Sequence, residues 1–376
     1  MNVKDGVKTK GEARPGTRPA GEVIAQLRRA EPQPLDVPLK KNDFASDQEV
    51  RWCPGCGDYA ILNAVQTILP DLGIPRERFV MISGIGCSSR FPYYMNAYGI
   101  HSIHGRGPAL ATGLKTARPD LSVWVATGDG DALSIGGNHF IHMLRRNVDV
   151  KILLFNNRIY GLTKGQYSPT SEFGKITKSS PVGSPDRPFN PLALALGANA
   201  TFVARSVDRF QPHLRATLKA AAMHKGAAFV EILQNCNIYN DGAWEHVTEL
   251  EVRDDHTLVL EEGKPLIFGK KGCKGIRLAK DRLEVVDLGN GVSEESLLAH
   301  DPTRDDPAMA MMLAHMEDLP GHTVNQWPVP IGILRRVENP TYETVVQQQI
   351  QAARAKMDIP SLQELLEAGD TWEVGS

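Results

Sequence analysis

Between Cys53 and Cys236 the chain repeats one pattern: a short, unbroken apolar run, a stretch of helical character, then another apolar run. The apolar runs fall at 79–82, 123–126, 150–155, 201–204 and 228–233, and the helical stretches near 58–69, 107–117, 134–146, 191–197 and 209–224. A strand with one wet face alternates apolar and polar residues, whereas a strand apolar throughout is covered on both faces. Such strands joined through helices run parallel, so the pattern predicts an α/β fold: a parallel sheet with helices on both faces. In folds of this kind ligands bind at the carboxyl ends of the strands.

The flanks differ from this centre. Residues 1–45 are rich in Pro, Gly, Lys and Arg with little apolar period, and read as an N-terminal arm ordered by a partner. Residues 46–240 form the α/β domain, and 241–376 a C-terminal extension with many charges, weak strand signals and helical stretches at 342–356 and 361–367. Met309, Met311 and Met312 mark a core or interface helix there. The formal net charge of −2 offers no field for nucleic acid. No apolar run reaches about 18 residues, so no membrane span is expected. Asp5, Glu12 and Glu22 interrupt the basic N-terminus, which does not read as a leader, and the expected location is the reducing cytoplasm.

The stretch Ala126-Thr127-Gly128-Asp129-Gly130-Asp131 ends one apolar run, and 25 residues separate Gly130 from Asn156-Asn157, which end the next. Gly-Asp-Gly followed at this distance by Asn-Asn resembles the thiamine-diphosphate signature. A strand–helix–strand crossover brings the two strand ends to one edge, where Asp129 offers a carboxylate and Asn157 an amide oxygen. Magnesium takes oxygen ligands in near-octahedral geometry and shares them with phosphates. Gly128 and Gly130 permit a tight turn and close backbone approach, and the helix start beyond them presents free amides to a diphosphate.

Of the five cysteines, Cys53-Pro54-Gly55-Cys56 is a C-x-x-C, Cys87 and Cys236 stand at strand ends, and Cys273 sits apart between lysines. A thioredoxin-like motif needs an apolar strand just upstream, and Lys41-Asn42-Asp43 and Ser46-Asp47-Gln48-Glu49 are polar. A zinc ribbon usually shows a second C-x-x-C. An iron–sulfur cluster needs four thiolates converging in space, and a local pair plus two strand-end thiols could meet at one rim of the sheet. A lone strand-end cysteine is more often just a small buried residue.

Taken in order, Trp52-Cys53-Pro54-Gly55-Cys56-Gly57, Gly84-Ile85-Gly86-Cys87, His104-Gly105-Arg106, Gly128-Asp129-Gly130-Asp131, Asn156-Asn157 with Tyr160-Gly161-Leu162-Thr163, and Cys236 resemble the β subunits of 2-oxoacid:ferredoxin oxidoreductases over roughly residues 45–245. The resemblance implies thiamine diphosphate held at Ile85, Gly86, Cys87, Ser88, His104, Gly128, Gly130, Asp131, Gly161 and Leu162. It implies Mg2+ on Asp129, Asn157 and the Ile159 carbonyl, and one [4Fe-4S] cluster on Cys53, Cys56, Cys87 and Cys236. It implies oxidative decarboxylation of a 2-oxoacid with coenzyme A, with electrons passing to ferredoxin, and some members run in reverse. An α subunit supplies a glutamate to the cofactor in this family, and an (αβ)2 assembly is expected. Gly86-Cys87-Ser88-Ser89-Arg90-Phe91-Pro92 is similar to the 2-oxoglutarate type, which makes Arg90 a candidate partner for a distal carboxylate, with His104 as the second catalytic candidate.

Three alternatives stay open at this point. The substrate could be pyruvate or a branched-chain 2-oxoacid. The chain could be a non-oxidative thiamine-dependent decarboxylase or synthase, though those chains normally carry both thiamine domains. A metal-binding or thiol-disulfide module would leave the spacing from Gly-Asp-Gly to Asn-Asn unexplained.

Overall fold

The computed structural model describes residues 38–289, 291–316, 327–356, 360–370, 372 and 374. The arm read over 1–45 lies outside the described residues as far as residue 37. Its end is packed: Lys41–Phe44 form a 3-10 turn, and Phe44 is buried edge-on against Phe79, ring centroids 5.5 Å apart.

The strands are β1 (Phe79–Ser83), β2 (Tyr98–His101), β3 (Ser122–Gly128), β4 (Val150–Asn156), β5 (Phe202–Val207), β6 (Ala228–Leu233), β7 (Thr257–Leu260), β8 (Ile267–Phe268), β9 (Lys274–Ala279), β10 (Arg282–Asp287) and β11 (Val329–Arg336). An eight-stranded sheet runs in the order β2-β1-β3-β4-β6-β5-β11-β7. Its first six strands are parallel, and β11 joins β5 antiparallel with β7 parallel beside it.

The five expected apolar strands are all present, and β1, β4, β5 and β6 are buried at every residue. Alternate residues serve opposite faces. Val123 and Val125 pack with the helices Gly107–Ala117, Gly137–Arg145 and Pro191–Gly197, while Trp124 and Ala126 pack with Asp58–Ile68 and Gln211–Met223. Helices therefore cover both faces, as a parallel sheet requires.

Three departures from the expected pattern have physical causes. Strand β2 is exposed at every residue and carries a central Gly99, so an edge strand left no continuous apolar run to read. The helix expected over 134–146 is present as Gly137–Arg145, and a short helix, Asp129–Leu133, precedes it, separated by a backbone break at Ser134 (φ −89°, ψ −109°). The strand signals read as weak beyond residue 240 conceal five strands. Two of these extend the main sheet, and β8, β9 and β10 form a small antiparallel sheet beside it. β7 and β8 have four and two residues, and β9 and β10 carry charges along their length, so partners distant in sequence decide them. The methionine-rich stretch is a helix, Ala308–Ala314, packed on the core.

Candidate functional site: a cleft and a cysteine group sharing one wall

From β1 the chain crosses to β2 on one side, and from β3 it crosses to β4 on the other. The carboxyl ends of β1 and β3 thus flank a switch point, where connecting segments diverge and leave a crevice. The cleft found there is lined by Ile85, Gly86, Cys87 and Ser88 after β1, by His104, and by Gly128, Asp129, Gly130 and Asp131 after β3. Asn157, Ile159, Tyr160, Gly161, Leu162 and Thr163 after β4 complete it.

Asp131 ties these strand ends together. Its Oδ1 accepts from Ile85 N (3.0 Å), Gly105 N (2.7 Å) and His104 Nδ1 (2.6 Å), and its Oδ2 accepts from Thr127 Oγ1 (2.7 Å). The family resemblance implies Asp131 as a cofactor contact. The structure puts it in the cleft wall with both carboxylate oxygens bonded to protein. With Nδ1 occupied, His104 keeps Nε2 free for whatever lies in the cleft, and its ring stands edge-on to Tyr160. Close packing explains the glycines. A Cβ on Gly84 would lie 2.0 Å from Asp131 Oδ2, and one on Gly130 would lie 2.1 Å from the Tyr160 ring.

Asp129 is buried, and its Oδ2 accepts from Ser168 Oγ (2.5 Å) and Thr170 Oγ1 (2.6 Å). Burial pushes the Asp129 carboxyl up to about 6, and the two hydroxyls pull it the other way. Asn157 Oδ1 accepts from Ile159 N at 3.2 Å, which folds the Asn157–Ile159 turn back toward the cleft. Asn156 points the other way. Its Nδ2 donates to Glu231 Oε1 at 2.7 Å, and Glu231 is paired with Arg205 inside the sheet.

The cysteines gather beside the same cleft. Cys56 N donates to Cys53 O at 3.0 Å, and Gly55, at φ +82°, closes this tight loop. A Cβ on Gly161 would lie 3.4 Å from Cys236 Sγ and 3.8 Å from Cys87 Sγ, so both sulfurs lie beside a glycine that lines the cleft. Burial pushes the Cys87 thiol up to about 12, with Asp58 and Cys236 adding to the shift, and burial raises Cys56 as well. Cys273 is exposed and lies beside Gly269 in the small-sheet region, away from this group.

Residues 84–232 match the family model for the C-terminal TPP-binding domain of thiamine pyrophosphate enzymes. The chain is 55% identical over 342 residues to the 2-oxoglutarate oxidoreductase subunit KorB of Mycobacterium tuberculosis, covering 90% of each chain. The chain belongs to the β subunits of 2-oxoacid:ferredoxin oxidoreductases. A 2-oxoacid:ferredoxin oxidoreductase β subunit of Aeropyrum pernix is 51% identical over 190 residues, and that match spans half of this chain and 60% of the relative. The solved 2-oxoglutarate:ferredoxin oxidoreductase of Magnetococcus marinus matches with a TM-score of 0.68 at 34% identity, covering 89% of this chain and 97% of that one. This β subunit is therefore part of an oxidoreductase, and its cleft is that of a thiamine-diphosphate-binding domain. Among the described residues no helix is long and apolar enough to cross a membrane.

Both inorganic groups named by the family resemblance suit the donors of this β subunit. Among the described residues no group of three or more His, Cys, Asp or Glu could hold a metal ion. One carboxylate, one amide and one backbone carbonyl form no such group, because a cation there draws its remaining oxygens from phosphate and water. A four-iron cluster spreads its thiolates wider than a single ion does. Arg90 pulls the Cys87 thiol down, but burial and the neighbouring Asp58 and Cys236 outweigh it, and iron would take the place of the protons.

Arg90 lies outside the cleft lining, and its Nη1 donates to Arg51 O at 3.2 Å. Several residues outside the sequence motifs also shape the site. Ser168 and Thr170 reach Asp129, Gln234 Nε2 approaches Cys56 Sγ at 3.3 Å, and Trp52 Nε1 donates to Cys87 O at 2.7 Å. The hydroxyl run Ser168-Pro169-Thr170-Ser171 was the one signal for the first pair.

Proposed function

We propose that this chain, together with an α subunit in an (αβ)2 assembly, converts 2-oxoglutarate and coenzyme A to succinyl-CoA and CO2. Cys53, Cys56, Cys87 and Cys236 would hold a [4Fe-4S] cluster, which would supply one-electron transfer toward ferredoxin. The observation that carries this reading is the shared wall: Cys87 lines the thiamine cleft, and its sulfur and that of Cys236 both lie beside Gly161.

Thiamine diphosphate supplies a nucleophilic carbon and an electron sink for decarboxylation. The protein's part is to hold and orient it. Asp129, Asn157 and the Ile159 carbonyl would hold Mg2+, which would offset the charge of the diphosphate. Ile85, Gly86, Ser88, Gly128, Gly130 and Leu162 form the walls, with Asp131 steadying them. His104, oriented by Asp131, keeps Nε2 toward the cleft, where it can hold or deliver a proton. The rim exposes Ile103 (70%), Ile135 (55%) and Leu162 (43%), an apolar border that suits a partner chain closing over the cofactor. Cytoplasmic placement agrees with four thiols kept for iron.

The test is anaerobic. The chain co-purified with its α subunit should show a brown visible absorbance that bleaches only when 2-oxoglutarate and coenzyme A are both present. Bleaching by pyruvate in place of 2-oxoglutarate would move the substrate assignment within the family, and absence of iron absorbance would remove the cluster.

Arg90 is assigned the distal carboxylate of the substrate, leaving the Arg51 carbonyl to form a bidentate pair. Arg90→Leu should then raise KM for 2-oxoglutarate by roughly tenfold or more, the worth of one charge-assisted pair, and leave thiamine diphosphate affinity unchanged. An unaltered KM would take Arg90 out of the substrate site.

A further inference from the structure

The hydroxyls of Ser168 and Thr170 have no place in the cation shell described above, yet both are buried and both aim at its carboxylate. Thr170 Oγ1 lies 2.6 Å from Asp129 Oδ2 and 2.9 Å from Asn156 Oδ1. One hydroxyl carries one proton, and the carboxylate is the stronger acceptor, so that proton goes to Asp129. Asn156 Oδ1 still accepts from Arg158 N at 3.2 Å. Ser168 Oγ brings a second proton to the same Oδ2 at 2.5 Å.

The loop bearing these hydroxyls is itself anchored. Ser168 N donates to Ser171 Oγ at 2.8 Å, and Ser171 Oγ donates to Arg158 O at 2.6 Å. Arg158 Nη1 pairs with Glu172 at 3.0 Å, and its guanidinium stacks 3.7 Å over the Trp244 ring. Asp129 Oδ2 therefore faces two donors on a braced segment.

This arrangement has a consequence for cation choice. A carboxylate with one oxygen saturated by hydroxyl protons can give a cation only its other oxygen. Mg2+ wants single oxygens in strict octahedral geometry, whereas Ca2+ takes more ligands and readily accepts both oxygens of one carboxylate. We infer that Ser168 and Thr170 are positioning residues that hold Asp129 to one-oxygen binding and so make the thiamine site prefer Mg2+ over Ca2+. The inference rests on the proposed thiamine and Mg2+ site.

The experiment is calorimetric titration of thiamine diphosphate into the co-purified complex, freed of cofactor, at a series of MgCl2 or CaCl2 concentrations. Wild type should need less Mg2+ than Ca2+. Thr170→Val and Ser168→Ala should each raise the Mg2+ requirement about 10- to 100-fold, the usual effect of losing an outer partner of a ligand. The Ca2+ requirement should move much less, so the preference narrows or inverts. Thr170→Ser, which restores the hydroxyl, should restore Mg2+ binding. Melting temperatures without cation separate misfolding from the effect sought, and Ser168→Ala serves if Thr170→Val fails to fold. Equal shifts for both cations, or no shift, would overturn the inference while leaving the thiamine site standing. Wild type that binds thiamine diphosphate without any divalent cation would instead overturn the cation site.

Discussion

Gly84→Ala should cost this β subunit both stability and thiamine diphosphate. The added methyl would stand 2.0 Å from Asp131 Oδ2, 2.4 Å from Oδ1 and 2.5 Å from Cγ. Asp131 cannot withdraw, because four donors from Ile85, His104, Gly105 and Thr127 hold its carboxylate and its side chain is buried. Overpacking a tight interior costs about 1–3 kcal/mol, and displaced donors that stay buried add about 1–3 kcal/mol each. Melting temperature should fall by several degrees or more, and calorimetric affinity for thiamine diphosphate should fall at least roughly tenfold, since the loops that slip are the cleft walls. Gly113→Ala is the matched control. It lies in the helix Gly107–Ala117 with nothing near its added methyl, and Ala there should be neutral or stabilising by up to about 1 kcal/mol. Wild-type melting and affinity in Gly84→Ala would show that Asp131 does not fasten the strand ends together.

Cys87→Ser is expected to leave the anaerobically purified complex with roughly a tenth or less of its iron and its visible absorbance, because a hydroxyl is a poor substitute for a thiolate on iron. Cys87 is the thiol most exposed to this logic. It lines the cleft, its sulfur and that of Cys236 both lie beside Gly161, and burial holds its proton on until a metal displaces it. Cys273→Ser should change neither iron nor colour, since that thiol lies in the small-sheet region. Full iron content in Cys87→Ser, or loss of iron in Cys273→Ser, would require a different ligand set.

Much of this site was legible because its chemistry is local in sequence. Gly128, Asp129 and Gly130 belong to one turn, Asn156 and Asn157 to another, and the apolar runs before them announce two strands whose crossover brings them to one edge. The cysteine loop, with Gly55 in a left-handed conformation, is equally local. What could not be read were contacts between segments that lack any pattern of their own. Ser168 and Thr170 reach Asp129 across 39 and 41 residues, and Gln234 reaches Cys56 across 178. Serine, threonine and glutamine are common surface residues, so nothing but their final place distinguishes these three.

Arg90 and Asp131 make the same point from the other side. Each was singled out by its position in a motif, and each has a side chain whose direction the motif does not specify. Asp131 turns into the wall because three strand ends offer it donors there. Arg90, on the 3-10 helix Ser88–Tyr94, donates to the Arg51 carbonyl.

Covalent order and hydrophobic patterning by themselves determined the parallel sheet, the carboxyl edge of its strands and the residue types gathered on it. Continuous apolar strands must be covered on both faces, and crossovers through helices run one way. Tertiary structure alone decided the edge strand β2, the addition of β11 and β7 to the far side, the side-chain directions of Arg90 and Asp131, and the hydroxyls on Asp129. These depend on packing between distant segments, where burial and the demand that every buried polar group find a partner act on the folded chain as a whole.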